Sequence, residues 1–239
     1  MTSYEIRVGN ELKKWQKQMQ RKPSLFNKMS KGVQNKINRL IPEKVHAAIT
    51  TTIRQMVKVV LFGSKITTDA PRASGSLEVR EAVVEEKIKF YRKAAAIEGG
   101  VTGAGGILMG LADFPLLLSI KLKMLFEIAS VYGFNVKDYK ERLYLLYIFQ
   151  LAFSSQEQRR KVFIQLENWN KQERSLPQDI DEFDWRTFQQ EYRDYIDIAK
   201  MAQLIPVIGA PVGIVVNSQL IKKLGNTAMN AYRMRYLNE

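Results

Sequence analysis

Apolar residues recur at intervals of three and four along most of the chain, the spacing that places side chains on one face of an α-helix. In the first such segment Leu12, Trp15 and Met19 share a face, with lysines around them. Prolines, glycines and capping residues divide the pattern into separate helices. The pattern predicts helices at about residues 4–21, 24–41, 43–62, 77–97, 113–132, 135–151, 155–169, 184–204 and 217–239.

Two segments, 57–62 and 205–216, have the apolar composition of strands. The first continues a helical pattern, and the second contains two prolines and two glycines, which strand interiors disfavour. We therefore predict an all-α fold, a multi-helix bundle with two Gly/Pro-rich apolar stretches packed in or near its core.

The two Gly/Pro-rich stretches, 99–112 and 204–216, have several possible roles. The first does not fit the G-x-G-x-x-G spacing of a dinucleotide turn and contains no Gly-Lys-Ser/Thr, so a phosphate loop is disfavoured. Small residues three and four apart do allow close helix packing. A buried hairpin core, a shallow or re-entrant membrane insertion and a membrane span all remain open. The packing interpretation rests on Gly99, Gly103, Gly106, Gly110, Gly209 and Gly213.

The composition excludes several kinds of site. The chain of 239 residues has no cysteine and one histidine, His46, so disulfides, thiolate metal sites and histidine-rich metal sites are excluded. A Ser-His-Asp triad is disfavoured for the same reason, and we predict no metal and no cofactor. The N-terminus lacks the basic segment and apolar run of a signal peptide, so we expect a cytoplasmic protein.

Positive charge is concentrated near the N-terminus. The formal net charge is +13, and residues 1–65 contribute +11 of it, with fourteen basic and three acidic residues. A polar connection at 67–76 predicts a division into a basic helical arm, 1–66, and a helical body, 77–239. The charge favours an anionic partner, and the absence of a nucleic-acid-binding signature favours a membrane surface over nucleic acid. The candidate lipid- or anion-binding residues are Lys13, Lys14, Trp15, Lys17, Arg21, Lys22, Lys28 and Lys31.

The first helix has two interpretations. Trp and Leu on one side with Lys on the other is typical of a helix lying on a membrane surface. The same pattern is typical of an ordinary amphipathic helix docked on its own domain.

Glu98 and Asp113 bracket the first glycine-rich stretch and are candidate acid/base groups. Arg142, Asn217 and Arg233 are the polar residues expected near the glycine-rich stretches, and a buried acid would need such a partner. The alternative is structural: Asp113 caps a helix and Glu98 forms an ion pair. No nucleophile-plus-base arrangement accompanies the acids, which favours the structural alternative.

The glycine-rich stretches and the residues around them form a set of sequence motifs. These motifs are Gly99-Gly-Val-Thr-Gly-Ala-Gly-Gly106, Gly110-Leu-Ala-Asp-Phe-Pro115, Ala129-Ser-Val-Tyr-Gly133, Ile205-Pro-Val-Ile-Gly-Ala-Pro-Val-Gly213, Asn217 and Tyr232-Arg233-Met-Arg235. Through them, residues 75–239 resemble the EcsC family of bacterial proteins. The family takes its name from an operon that also encodes an ABC transporter ATPase and its membrane subunit. The resemblance implies a cytoplasmic accessory role near such a transporter, at the inner face of the cell membrane, and it supplies no catalytic residues.

Three functional hypotheses follow from the sequence. The first is a peripheral membrane or ABC-transporter accessory protein that contacts anionic lipid through its basic arm. The second is a hydrolase-type enzyme that uses Glu98 and Asp113 as acid/base groups. The third is a protein that binds a transporter subunit without any dependence on lipid. We favour the first, and with it a protein that is not an enzyme.

Overall fold

The computed structural model describes residues 1–21, 51, 54–55, 57–58, 68–72, 74–104, 114–171, 176–192 and 209–238, and all regular secondary structure in these ranges is helical. The all-α prediction is thereby confirmed. Two short 3-10 turns, Trp169–Lys171 and Ile180–Glu182, follow the fifth helix. The helices are α1 (Ser3–Gln20), α2 (Leu77–Ala104), α3 (Phe114–Tyr132), α4 (Tyr139–Phe153), α5 (Gln156–Glu167), α6 (185–192) and α7 (Gly209–Asn238).

The long helices α2 and α7 pack against each other in antiparallel directions. Glu98 of α2 pairs with Asn217 of α7, and Glu81 pairs with Arg233. On each helix, one set of buried residues recurs at spacings of four and three, the heptad spacing of a helix–helix seam. These seam residues are Leu77, Glu81, Val84, Ile88, Tyr91 and Ala95 on α2, and Asn217, Ile221, Leu224, Ala228 and Ala231 on α7.

The two helices approach each other closely at Gly225. A Cβ atom at this position would lie 2.6 Å from Cγ1 and 2.7 Å from Cδ1 of Ile88. Because real Cβ atoms do not approach other carbons so closely, the present separation of the helices requires glycine at position 225.

Both helices extend further than the sequence predicts. The pattern places the end of α2 near Ile97 and the start of α7 near Asn217, whereas the helices reach Ala104 and Gly209. Extending a formed helix adds a hydrogen bond per residue without a new nucleus, which offsets the low helix propensity of glycine. Pro211 lies in the first turn of α7, where a backbone N–H has no intrahelical partner.

The helix α4 forms the centre of the core. Every residue from Leu143 to Phe153 is buried, as is Glu141. A helix that is apolar on all sides is surrounded by protein on all sides. Neighbours of α4 include α5 and α7.

The helix α1 docks on this body. Its buried residues Val8 and Leu12 belong to the same hydrophobic cluster as the body, and Tyr4, Trp15 and Met19 pack against that cluster. The division at 1–66 and 77–239 stays a prediction, because most of residues 22–67 lie outside the described residues.

Local signals set several helix ends. Thr2 and Glu5 form a capping box at α1, and the side chains of Ser155 and Asp184 cap α5 and α6 at the predicted starts of these helices. Gly133 ends α3 with φ at +97°, a conformation that favours glycine.

The predicted start of α4 at about residue 135 comes too early, because the helix begins at Tyr139. The N-cap residue is Asp138, and the Asn135 side chain instead accepts a bond from the Lys137 amide at 3.0 Å. Residues 133–138 form the connection between α3 and α4.

Among the described residues, none of the helices has the length and apolarity required to cross a bilayer.

Candidate functional site

A buried ion pair joins α2 to α7 at the end of the seam nearest Leu77. The Arg233 guanidinium donates from Nε to Oε1 of Glu81 at 2.7 Å, and from Nη2 to Oε2 at 2.6 Å. The side chains of Arg233 and Glu81 are 8% and 1% exposed. This two-bond geometry is the one in which arginine holds a carboxylate most strongly. Each charge compensates the other in a position where a single charge would be costly.

Two tyrosine hydroxyls complete the surroundings of Glu81. Tyr132 of α3 donates to Oε1 at 3.0 Å, and Tyr4 of α1 donates to Oε2 at 2.7 Å. Burial, together with the bond to Glu81, raises the pKa of Tyr4 to about 12. Arg233 also contacts α1, with Nη1 3.4 Å from Oε2 of Glu11. The Glu81–Arg233 pair therefore helps to fix the position of α1.

The docked α1 presents its basic residues to solvent. The ring of Trp15 meets Phe163 of α5 edge-on, with the ring centroids 5.7 Å apart. By the 3.6-residue repeat, Lys13 and Lys17 point away from the buried side of the helix. The exposed residues on this outer side, which we call the cationic face, are Ile6, Asn10, Lys13, Lys14, Lys17 and Arg21.

A second buried carboxylate lies at the start of α4. Glu141 accepts a bond of 2.5 Å from the Tyr232 hydroxyl and one of 2.7 Å from Nη1 of Arg235. The Arg235 guanidinium also stacks on two rings, 3.7 Å from the centroid of Phe134 and 4.6 Å from that of Tyr144. Burial raises the pKa of Glu141, while Arg235 and Tyr232 act in the opposite direction.

A cleft of about 500 Å³ opens beside this second carboxylate. Its described lining offers aromatic, amide and charged groups but no serine, threonine, cysteine or histidine that could act as a nucleophile or base. Glu141 and Arg235 form an ion pair within this lining, with Nη1 2.7 Å from Oε2, so the pair stabilises the wall of the cleft. The lining residues are Phe134, Asn135, Asp138, Tyr139, Lys140, Glu141, Trp169, Asn170, Leu176 and Arg235.

The residues singled out in the sequence do not form one cluster. Asn217 donates to Oε2 of Glu98 at 2.9 Å, within the α2–α7 seam. Arg233 lies at the other end of that seam, with Glu81 rather than Glu98. Arg142 lies on α4, where burial lowers its pKa and Asp138 acts in the opposite direction. Asp113 lies outside the described residues, so its distance from Glu98 is not defined.

The candidate lipid-binding residues divide into three groups. Lys13, Lys14, Lys17 and Arg21 are exposed, whereas Trp15 is half-buried against Phe163. The remaining three, Lys22, Lys28 and Lys31, lie outside the described residues. In the described ranges, no group of three or more His, Cys, Asp or Glu side chains could hold a metal.

Sequence reasoning missed the two buried acids, Glu81 and Glu141. A signal for the first was present: Glu81 occupies the apolar register of α2, four residues after Leu77 and three before Val84. An acid at a core position of a heptad indicates a buried partner, here Arg233. Glu141 follows Lys140 at a helix start and carries no comparable signal.

Comparisons with known proteins identify similarity to one protein family. A model of the EcsC protein family matches residues 7–237. The chain is 46% identical over 240 residues to Protein EcsC of Bacillus subtilis (strain 168), which covers 100% of this chain and 98% of that protein. It is 26% identical over 250 residues to Uncharacterized protein YdbA of the same strain, covering 96% of this chain and 91% of that protein. No solved structure matches the chain.

Proposed function

The chain belongs to the EcsC protein family, and we propose that it is a peripheral protein that contacts anionic lipid through the cationic face of α1. The observation that carries the proposal is the orientation of α1. Its apolar side is occupied by the body, and its outer side gathers exposed basic residues. The acids of α1, Glu5 and Glu11, lie at the edges of this surface and not at its centre.

The same orientation defines the kind of contact. Because Trp15 packs on Phe163, α1 cannot insert its Trp/Leu side into a membrane while it stays docked. The contact is electrostatic, and it is strongest where anionic headgroups make the surface potential of the membrane most negative.

The expected affinity is modest. A lysine or arginine near an anionic surface contributes about 1 kcal/mol, so Lys13, Lys14, Lys17 and Arg21 give about 4 kcal/mol and a Kd on the order of 1 mM. Adding Lys22, Lys28 and Lys31 brings the sum to about 7 kcal/mol and a Kd on the order of 10 μM. An interaction of this strength is reversible and sensitive to salt.

Co-sedimentation with vesicles tests the proposal. We expect binding to vesicles that contain phosphatidylglycerol, loss of that binding as salt is raised, and little binding to pure phosphatidylcholine. The double variant Lys13→Gln/Lys17→Gln should bind about 30-fold more weakly, because it removes about 2 kcal/mol. The matched control is Lys137→Gln/Arg186→Gln, which removes the same charge from exposed positions outside α1.

Two results would overturn the proposal. Equal binding to neutral vesicles would exclude an electrostatic contact. An equal loss of binding in the control variant would show that only the net charge of the protein matters and not the cationic face.

The EcsC family is named after an operon that also encodes an ABC transporter. This origin supports an accessory role at the inner face of the cell membrane, and we propose that the lipid contact is made there. Cross-linking in cells followed by purification should recover transporter subunits with the protein. Recovery that is lost in Lys13→Gln/Lys17→Gln, without any binding to vesicles, would instead make a protein the partner of the cationic face.

A further inference from the structure

Exposed apolar side chains collect at one end of the α2–α7 pair. Ile97 of α2 is 72% exposed, and Ile214 and Val215 of α7 are 42% and 57% exposed. The pairing of Glu98 with Asn217 places these three residues at the same level of the antiparallel pair. This level is the end opposite to the Glu81–Arg233 ion pair.

A fourth residue, Leu116, adds to this surface from α3. The helix α3 runs antiparallel to α2, because Tyr91 bonds Glu127 while Glu81 bonds Tyr132 further along. The start of α3 therefore lies beside the end of α2, and Leu116 is 55% exposed there. We call the surface made by Ile97, Leu116, Ile214 and Val215 the apolar tip.

The charge pattern around the apolar tip is that of a surface meeting a membrane. Lys93 of α2 and Lys222 of α7 are both exposed, and the register of the two helices places them at the same level. Beyond them, the described residues of α2 as far as Ala104 include one charged residue, Glu98, and those of α7 from Gly209 include none.

Glu98 is compatible with an apolar environment because of where it lies. It continues the seam spacing of α2, three residues after the buried Ala95, and it accepts a hydrogen bond from the buried Asn217. Its carboxylate thus faces the partner helix and not the outer surface, where Phe90, Lys93 and Ile97 lie.

We propose that the apolar tip inserts into one leaflet of an anionic membrane, with Lys93 and Lys222 at the level of the phosphates. The α2 backbone extends about 16 Å from Lys93 to Ala104, and the α7 backbone about 20 Å from Lys222 to Gly209. One leaflet of the hydrocarbon core is about 15 Å thick. The described part of the tip is therefore long enough to enter one leaflet. Long lysine side chains at this level can keep their ammonium groups among the headgroups.

The insertion and the α1 contact are separate surfaces. Tyr4 of α1 reaches Glu81, sixteen residues before Ile97, which is about 24 Å of helix. The inference shares with the proposed function the membrane as partner, but it does not depend on the cationic face. Either surface can therefore be altered without changing the other.

Site-specific labelling tests the insertion directly, because the protein has no native cysteine. We would introduce single cysteines as Ile97→Cys and Val215→Cys, and label them with an environment-sensitive fluorophore. The matched controls are Val79→Cys, at the other end of α2, and Ile164→Cys on α5, which are exposed apolar positions away from the tip. The vesicles contain phosphatidylglycerol and phosphatidylcholine, with brominated acyl chains as a quencher.

We expect the labels at 97 and 215 to shift to shorter emission wavelength and to be quenched, and those at 79 and 164 to do neither. Labels at 97 and 215 that stay unquenched while the protein sediments with the vesicles would overturn the insertion and leave the α1 contact standing. Quenching that persists in Lys13→Gln/Lys17→Gln would support the insertion and remove the role of α1. A failure of every labelled protein to sediment would overturn both.

A second pair of variants tests the need for the tip. Ile97→Glu/Val215→Glu should reduce vesicle binding at least tenfold, and Val79→Glu/Ile164→Glu should not, provided that circular dichroism shows both to be folded. If the labels at 97 and 215 shift without vesicles and the protein elutes as a dimer, a second copy covers the tip and the membrane proposal is overturned.

Discussion

Glu81 occupies a position of α2 where the neighbouring turns carry leucine, valine and isoleucine, and Arg233 of α7 meets it there with two hydrogen bonds. The pair is placed where a helix–helix seam is otherwise apolar. It brings α2 and α7 into one register, because a shift by one turn would leave both charges buried without a partner.

Removing one member of this pair should be more costly than removing both. Arg233→Met leaves the Glu81 carboxylate in the core and should lower the free energy of unfolding by about 3–5 kcal/mol, and Glu81→Leu should have a similar effect. The double variant leaves neither charge unpaired and should lose less stability than either single variant. Urea unfolding followed by circular dichroism measures each value.

The control for that series is Asp181→Asn, which breaks an exposed contact with Arg54 and Lys58. Its urea midpoint should match that of the unaltered protein, because exposed ion pairs contribute little. A midpoint for Arg233→Met as high as that of Asp181→Asn would contradict a structural role for the buried pair.

Gly225→Ala should destabilise the protein although alanine is the better helix former. The new Cβ would lie 2.6 Å from Cγ1 of Ile88, so the helices must separate or Ile88 must move, at a cost of about 1–3 kcal/mol. Ile88→Ala in the same chain should restore part of the loss, and a double-mutant cycle in urea measures the coupling.

Gly9 provides the opposite case within the same protein. It lies inside α1, and a Cβ there would have no neighbour within 4 Å. Gly9→Ala should therefore raise the free energy of unfolding by about 0.5–1 kcal/mol. Equal effects of the two substitutions would show that helix propensity alone, without close packing at Gly225, decides the outcome.

Asn217→Asp should make the stability depend on pH. The new carboxylate would face Glu98, to which Asn217 now donates at 2.9 Å. Two carboxylates at that distance cannot both ionise without repulsion, whereas in the unfolded chain both ionise near pH 4. The variant should match Asn217→Ala at about pH 4 and fall below it as the pH rises to 7.

Thermal unfolding across that pH range measures the effect. Asn226→Asp adds the same charge at an exposed position of α7 and should follow the unaltered protein. A parallel pH profile for Asn217→Asp and Asn226→Asp would show that position 217 does not face Glu98.

The buried tyrosines predict unfolding in alkali. Burial raises the pKa of Tyr91, Tyr132, Tyr144, Tyr192 and Tyr232 above the usual value of 10.0, and that of Tyr4 to about 12. Because the pKa of each tyrosine is higher in the folded than in the unfolded protein, its protonated hydroxyl contributes fully to the folding stability below pH 10. This contribution is lost as the pH rises above 10. For Tyr4 the loss falls between about pH 10 and 12.

Ultraviolet absorbance of tyrosinate, recorded together with circular dichroism, measures this linkage. Most of the absorbance change should coincide with the loss of helix. Half of the full tyrosinate signal at pH 10, the value for unperturbed tyrosines, from protein that is still helical would contradict the buried hydroxyl network. Tyr4→Phe should weaken the docking of α1 at neutral pH and remove its share of the change between pH 10 and 12.

Capping residues, proline and glycine predict the ends of several helices, because they act on residues close to them in the sequence. Asp113 and Pro115 predict the start of α3, observed at Phe114, and Gly133 predicts its end. Ser155 and Asp184 predict the caps of α5 and α6. Each of these signals works through backbone hydrogen bonds within one turn, so the surrounding structure does not need to be known.

The sequence does not predict features that depend on distant partners. The extension of α2 to Ala104 and of α7 to Gly209 contradicts the local propensity of glycine and proline. The association of Arg233 with Glu81, 152 residues away in the chain, follows from the antiparallel register alone. The same holds for the candidate site. The sequence predicts the positive charges of α1, but it does not predict the burial of Trp15, which depends on contact with Phe163 of α5.

The antiparallel seam also determines at which stage of synthesis the chain can complete its fold. More than a hundred residues separate the end of α2 from the start of α7. As the chain leaves the ribosome, the seam of α2 therefore waits without its partner until the final 30-residue helix has been made. Newly made chains pass through a long interval in which this apolar surface is open to chaperones and to aggregation. A stop codon shortly before α7 would leave a nearly full-length product without one half of its central contact.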